Sequence, residues 1–161
     1  MSEMITASEN MLNAFQSMEF TRDLEAQHLV KLASMATKAT FEAGETIFRE
    51  GDAGRMIYLI QEGRVGIYIR VPNRGLVTLL TVEPGRLLGW SSLFPPHHKT
   101  ADARAIVFTQ SIAIDAAQLW DACRADHDLG YTIMQQVAEA ITSRLIATRL
   151  QLLGISTPTQ L

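Results

Sequence analysis

Between residues 40 and 115 the chain consists of short runs of Ile, Val, Leu, Thr and Tyr separated by glycine-bearing turns, and no other feature limits its fold as strongly. The runs are Thr46–Phe48, Met56–Ile60, Val65–Val71, Leu76–Val82, Arg86–Leu88, Ala101–Val107 and Ser111–Asp115. Turn signals separate them at Ala43-Gly44, Glu50-Gly51-Asp52, Glu62-Gly63-Arg64, Pro72-Asn73-Arg74-Gly75 and Glu83-Pro84-Gly85. Seven or eight short strands at this spacing predict a sandwich or barrel, with a jelly roll as the favoured form. Gly44, Gly51, Gly63 and Gly85 fall between strands, where a chain reversal is easiest without a Cβ, so they specify the roll rather than a ligand.

Helical periodicity flanks this block. Met11, Leu12 and Phe15 recur at helical spacing, and a second run follows with Leu24, Leu29, Leu32, Ala33 and Ala36. Thr21 is the expected N-cap of that run, with Asp23 in its first turn. His28, among polar neighbours, is expected to be exposed. After the β block, Ala116–Cys123 predicts a short helix and Leu129–Leu153 a longer one. Along the longer helix Met134, Val137, Ile141, Leu145, Thr148 and Leu152 fall at steps of three and four. A second apolar row, Ile133, Ala140, Ile146, Leu150 and Leu153, makes it apolar on more than one side. One face is expected to cover the roll and the other to meet a second subunit as a homodimer; the alternative is that a single chain buries both. Gly154 is a natural stop, and Ile155–Leu161 reads as a short polar tail. The fold class expected is mainly β with flanking α: a double-stranded β-helix (jelly roll). One domain spans 1–161, with N-terminal helices over about 8–37, the β-roll over about 40–115 and C-terminal helices over about 116–153.

The 161 residues, 47% of them hydrophobic and 19% charged, suffice for one buried core and exclude a disordered chain. No apolar stretch approaches the roughly 20 residues needed to cross a bilayer. Met1–Asn10 carries Glu3 and Glu9 and no Lys or Arg, unlike the start of a signal peptide, so a cytoplasmic location is expected. A net charge of -3 and a pI near 5.8 argue against nonspecific nucleic-acid binding. Cys123 is the only cysteine, which rules out an intrachain disulfide and reads as a small apolar residue on a helix. His97 and His98 are neighbours in a Pro-Pro-His-His loop, where adjacent side chains point apart and no third ligand is near, so no metal is expected. There is no nucleophile elbow, Walker loop, cupin-type metal pattern or spaced Cys–His pair. A binding or regulatory role, not an enzyme, is the expectation.

Three segments carry a resemblance. Phe41–Asp52 is similar to the opening strands of cyclic-nucleotide-binding domains, Met56–Val65 to their next strand, turn and strand, and Leu80–Gly85 to the approach to their phosphate-binding cassette. The resemblance covers roughly residues 20–153. Within the family it looks most like the sensory domain of bacterial cyclic-AMP-receptor-type transcription regulators, in which a winged helix-turn-helix domain follows the long helix. Seven residues follow Gly154 here, too few for a recognition helix, so no direct DNA binding and no membrane partner are expected.

The resemblance also implies a site. In the family a Gly-Glu-small segment opens a short helix whose N–H groups hold the ligand phosphate, the glutamate takes the ribose 2′-hydroxyl, and an arginine ten residues after the glycine pairs with the phosphate. Here Gly89 matches the glycine and Ala103-Arg104-Ala105 the closing strand, but Trp90 replaces the glutamate and Lys99 the arginine. Lys99 keeps the charge without the bidentate fork. The Trp90 indole only donates, and a buried hydroxyl left without a partner costs about 1–3 kcal/mol. Asp102 would oppose a phosphate if it points inward. Trp90, Ser91 and Ser92 are expected to open a helical turn, and Gly89, Ser91, Ser92, Lys99 and Thr100 to hold the charged group. Trp90 and Thr148 would face the rest of the ligand; Trp90 could instead fill that space, and Thr148 could instead lie on a dimer seam. Two functions follow. One is a stand-alone sensory module for a small anionic ligand, with cyclic AMP or another cyclic nucleotide as the implied ligand. The alternative is a degenerate domain, plugged by Trp90 and Phe94, that serves as a dimerisation or protein-interaction scaffold.

Overall fold

The strand-rich middle of the chain forms two four-stranded antiparallel sheets, flanked by helices at both ends. The computed structural model describes residues 2–154, so the tail expected at Ile155–Leu161 lies outside the described residues. Helix α1 (Ser2–Gln16), a 3-10 turn at Glu19–Thr21 and α2 (Ala26–Ser34) precede the strands. The strands are β1 (Ala36–Phe41), β2 (Thr46–Phe48), β3 (Met56–Glu62), β4 (Val65–Val71), β5 (Gly75–Val82), β6 (Leu87–Leu88), β7 (Asp102–Ala105) and β8 (Thr109–Asp115). A 3-10 turn at Trp90–Leu93 lies between β6 and β7, and α3 (Ala116–Ala125) and α4 (His127–Leu152) close the chain. One sheet has the order β1-β8-β3-β6 and the other β2-β7-β4-β5, which is the expected jelly roll with a long C-terminal helix.

β3 is apolar at consecutive positions because both its faces are covered. Ile57 and Leu59 join Ile112 and Ile114 of β8 in a core shared with Phe15, Leu32, Leu119, Leu129 and Ile133 of the helices. Ile60 turns the other way, into a smaller core with Val65, Ile67, Val82, Leu88 and Ala103 inside the roll. Each such side chain contributes about 1.5–3 kcal/mol on burial, so the two cores fix which face of β3 each residue takes. Asp115 caps α3 by accepting from the N–H groups of Ala117 (2.9 Å) and Gln118 (3.1 Å). Asp126 caps α4 in the same way, accepting from Asp128 and Leu129.

Three expectations and one alternative need correcting. The N-terminal helices do not run to residue 37: α2 stops at Ser34, and Ala36–Phe41 is strand, paired residue for residue with β8 from Ala36–Ile114 to Phe41–Thr109. Thr21 is not an N-cap. It is buried in the 3-10 turn with its hydroxyl donating to the carbonyls of Phe15 and Met18, and Glu25 is the residue that precedes α2. His28 is not exposed but buried, its Nε2 3.0 Å from Oδ2 of Asp126, because α2 lies against the elbow between α3 and α4. Lastly, a single chain does not bury both faces of α4. Its buried residues are Leu129, Ile133, Gln136 and Val137, whereas Leu145, Ile146 and Leu152 are exposed.

Candidate functional site: a donor-rich cassette under the long helix

β6 ends at Leu88, Gly89 takes a left-handed conformation (φ 84°), and the chain enters the 3-10 turn Trp90–Leu93. The helical turn expected at Trp90, Ser91 and Ser92 is present, but it is four residues long, and the Ser92 N–H already donates to the Gly89 carbonyl at 3.1 Å. The Ser92 N–H is therefore already spent on its own turn.

Lys99 is buried and reaches back under this turn. Its Nζ donates to the carbonyls of Met56 (3.2 Å) and Gly89 (3.3 Å) and to Oγ of Ser92, and it lies 4.4 Å from the centroid of the Phe48 ring. A Cβ at residue 89 would come within 2.9 Å of this ammonium, so glycine is what admits Lys99 to the position. Ser92 Oγ in turn donates to the Met56 carbonyl at 3.0 Å. From α4, Arg144 donates through Nη2 to the Leu87 carbonyl at 2.6 Å, with its guanidinium 5.9 Å from the Trp90 ring centroid. Leu87 and Gly89, the acceptors for the two cations, are two residues apart along the chain.

The electrostatics follow from burial without neutralisation. Among the described residues neither Lys99 nor Arg144 forms an ion pair. Burial, and then the nearby Arg144 charge, pushes the Lys99 ammonium down to about 8, and burial lowers Arg144 to about 10. Asp102 does not oppose them, since its Oδ1 accepts from the Glu50 N–H at 2.8 Å. Trp90 is half-buried against the main core, and its Nε1 is a sealed donor with no acceptor.

This arrangement has a pH signature. The unfolded chain keeps the Lys99 proton to about pH 10.5, and the folded protein releases it near 8, so stability must rise as pH climbs between those values. With allowance for solvent screening, the gain from pH 7 to 9 is about 1 kcal/mol. Urea unfolding at the two pH values should show this rise in the native protein and a flatter profile in Lys99→Met.

The structure brings Gly89, Trp90, Ser92 and Lys99 together and buries Ser91 beside them. It does not bring in the other two. Thr100 is exposed one residue beyond Lys99, and the Thr148 hydroxyl donates at 2.8 Å to the carbonyl of Arg144 on its own helix. Phe94, which the scaffold alternative pairs with Trp90 as a plug, instead packs edge-on against Trp120 of α3, with ring centroids 6.1 Å apart. Arg144 is the residue that sequence reasoning missed. Its signal was an arginine lying on the Ile141, Leu145, Thr148 stripe of α4, three residues from Ile141 and four from Thr148. An open cleft between α3 and α4, lined by Trp120, Cys123, Arg124, His127, Tyr131 and Met134, lies apart from these groups, whereas a second, lined by residues that include Arg55, His97 and Asp115, reaches the cassette at Ser92.

A jelly roll closed by a long helix over a cation-bearing cassette defines a regulatory module of the cyclic-nucleotide-binding type. The model for the cyclic nucleotide-binding domain matches residues 38–126, and the chain belongs to that family. It is 30% identical over 128 residues to a CRP-like cAMP-activated global transcriptional regulator of Mycobacterium tuberculosis, a match covering 78% of this chain and 54% of the regulator. The chain thus spans about half the length of that curated relative. Among solved structures, a cyclic nucleotide-binding domain from Methylobacillus flagellatus superposes with a TM-score of 0.78 at 19% identity, covering 96% of this chain and 86% of that one. The regulatory subunit of a cAMP-independent protein kinase A from Trypanosoma brucei gives 0.76 at 21% identity, covering 89% and 50%. At these identities the two structures speak for the fold alone. No described helix is long and apolar enough to cross a membrane.

Proposed function

We propose that the chain is a non-catalytic, cytoplasmic sensory module that binds a small anionic ligand between the roll and α4, with Lys99 and Arg144 supplying the charge. The observation that carries this reading is the pair of cations, both with lowered proton affinity, in a site with no carboxylate. Two uncompensated positive charges in a low-dielectric setting are unfavourable, and an anion between them relieves the cost. Gly89, Ser91 and Ser92 form the floor, and Trp90 offers a ring face. Thr100 and Thr148 take part only if the loop and helix shift towards the ligand. The exposed side of α4, with Leu145, Ile146 and Leu152, is where a second copy would receive the signal as a homodimer.

One observation favours the scaffold reading instead. A lysine has three donors, and all three of Lys99's are taken by the protein. Under that reading the cassette is locked by its own side chains.

A thermal-shift titration with cyclic AMP, cyclic GMP and cyclic dinucleotides tests the sensor reading. A ligand that prefers the folded state raises Tm by mass action, about 2.7 kcal/mol at a hundredfold excess over Kd. A concentration-dependent rise that is lost in Lys99→Ala supports the sensor. Unchanged affinity in Lys99→Ala removes Lys99 from the site, and no shift at millimolar ligand favours the self-locked scaffold.

A further inference from the structure

The cleft between α3 and α4 owes its floor to a glycine. A Cβ at Gly130 would come within 2.9 Å of the Cys123 carbonyl, so glycine is what lets the two helices meet there, beside an open groove of about 660 Å³. That volume falls within the roughly 300–1,000 Å³ of small-molecule sites. Trp120, Cys123, Tyr131 and Met134 give the groove an apolar wall, and no carboxylate lines it. Burial, and then Asp126, push the Cys123 thiol up to about 11, so it adds apolar surface and no charge. The fixed charge in the lining is Arg124, and beside it His127 carries an imidazole N–H in either protonation state. The Trp120 N–H is spent on the Leu93 carbonyl at 2.5 Å, which leaves its ring as a contact surface. The Arg124 guanidinium lies 5.4 Å from the centroid of that ring. Its ion pair with Asp121 is long, at 3.5 Å, and exposed, so it holds Arg124 weakly. Asp121 itself lines the second cleft and not this one.

We infer that this groove binds a small amphipathic carboxylate, its apolar body against Trp120, Tyr131 and Met134 and its carboxylate on Arg124 and His127. The site is separate from the cassette and does not depend on the anion-binding reading above. An arginine stacked on an aromatic ring keeps its planar N–H edge available, and that fork matches the two oxygens of a carboxylate. One fixed cation balances a single negative charge, whereas a phosphate monoester brings about -1.5 to -2. The apolar wall requires an apolar body, since a bare inorganic anion would leave that surface in water. A second copy suits the groove less well. The exposed apolar residues of α4 begin at Leu145, 14 positions beyond Tyr131 and about 21 Å further along the helix, so the two surfaces are not continuous.

The test is an NMR titration of the isotope-labelled full chain with naphthaleneacetate, its neutral amide and naphthylmethylammonium, which share a ring system and differ in charge. The chain has two tryptophans and so two indole N–H signals, which Trp120→Phe assigns by deleting one. Naphthaleneacetate is expected to move the Trp120 signal with dose and leave that of Trp90 in place. It should bind about threefold or more tightly than the amide, with the ammonium weakest. Arg124→Gln should erase the advantage of the acid over the amide, whereas Tyr131→Ala should weaken both alike. Both side chains are exposed, so the fold should survive either change. Equal affinity for acid and amide, or an advantage that persists in Arg124→Gln, would overturn the inference. So would three silent titrations, which leave the cassette reading untouched. A dose-dependent shift of Trp90 alone would place the acid in the cassette, against this inference and in favour of the anion site there. Movement of the Trp120 signal with protein concentration alone would assign the groove to a second copy. Tighter binding of a blocked apolar peptide ending in glutamate would assign it to a protein partner, and either result rejects the small carboxylate.

Discussion

Replacing Gly63 by alanine is expected to lower stability by about 2–6 kcal/mol, the sum of about 1–3 for left-handed strain and about 1–3 for overpacking. Gly63 has φ 95°, and a Cβ there would meet the Phe108 carbonyl at 2.6 Å and Cα of Thr109 at 2.7 Å. Both are backbone atoms and cannot swing aside. They lie at the end of the β7–β8 connection and the start of β8, which are stitched to the same turn through the Arg64 carbonyl, accepting from the Ile106 N–H (2.9 Å) and the Thr109 hydroxyl (3.2 Å). The β3–β4 hairpin and the β7–β8 connection thus share one contact, and prying them apart disturbs both sheets. At about 2–4 °C per kcal/mol for a chain of this size, Tm should fall by roughly 4–24 °C. Gly44→Ala is the control: its φ is 84°, but nothing lies within 4 Å of the added carbon, so only the strain of about 1–3 kcal/mol remains. Equal losses in the two variants would mean that the close approach at Gly63 is not rigid.

Phe15→Ala should cost about 3–5 kcal/mol in urea unfolding, with the slope of the transition unchanged. Phe15 is fully buried, in one core with Met11, Met18, Leu32, Ile57, Leu59 and Ile133. The family match begins at residue 38, beyond this helix. A large cooperative loss would show that α1 folds with the roll as part of its core. A loss under about 1 kcal/mol, the size of a surface change, would show that α1 packs loosely and could detach.

The roll was legible because its strands are short, apolar and bounded by glycines whose conformations the structure bears out: Gly44, Gly51, Gly63 and Gly85 all have positive φ. β1 was not legible. Ala36-Thr37-Lys38-Ala39-Thr40 has no clear alternation, and what makes it a strand is the backbone ladder to β8, whose paired residues lie 68 to 78 positions away. His28 was misread for a related reason, since its acceptor, Asp126, is 98 residues distant. At the cassette the sequence located Gly89, Trp90 and Lys99 through resemblance to a family. It said nothing of which way Lys99 turns, because that depends on the Met56 carbonyl of another strand. Arg144 was hidden within an apolar helical stripe, where periodicity alone assigns a packing role.

Two side chains tie the outer half of α4 to the roll by hydrogen bonds to strand carbonyls: Arg144 to Leu87 and Gln151 to Thr78, each at 2.6 Å. The buried apolar anchors of the helix end at Val137. The helix therefore has a proximal part that opens only with the core and a distal part, held by these two polar contacts and by half-buried side chains such as Ile141 and Leu150, that opens more easily. Helix propensity at exposed residues of the distal turns is therefore expected to set how readily that end opens.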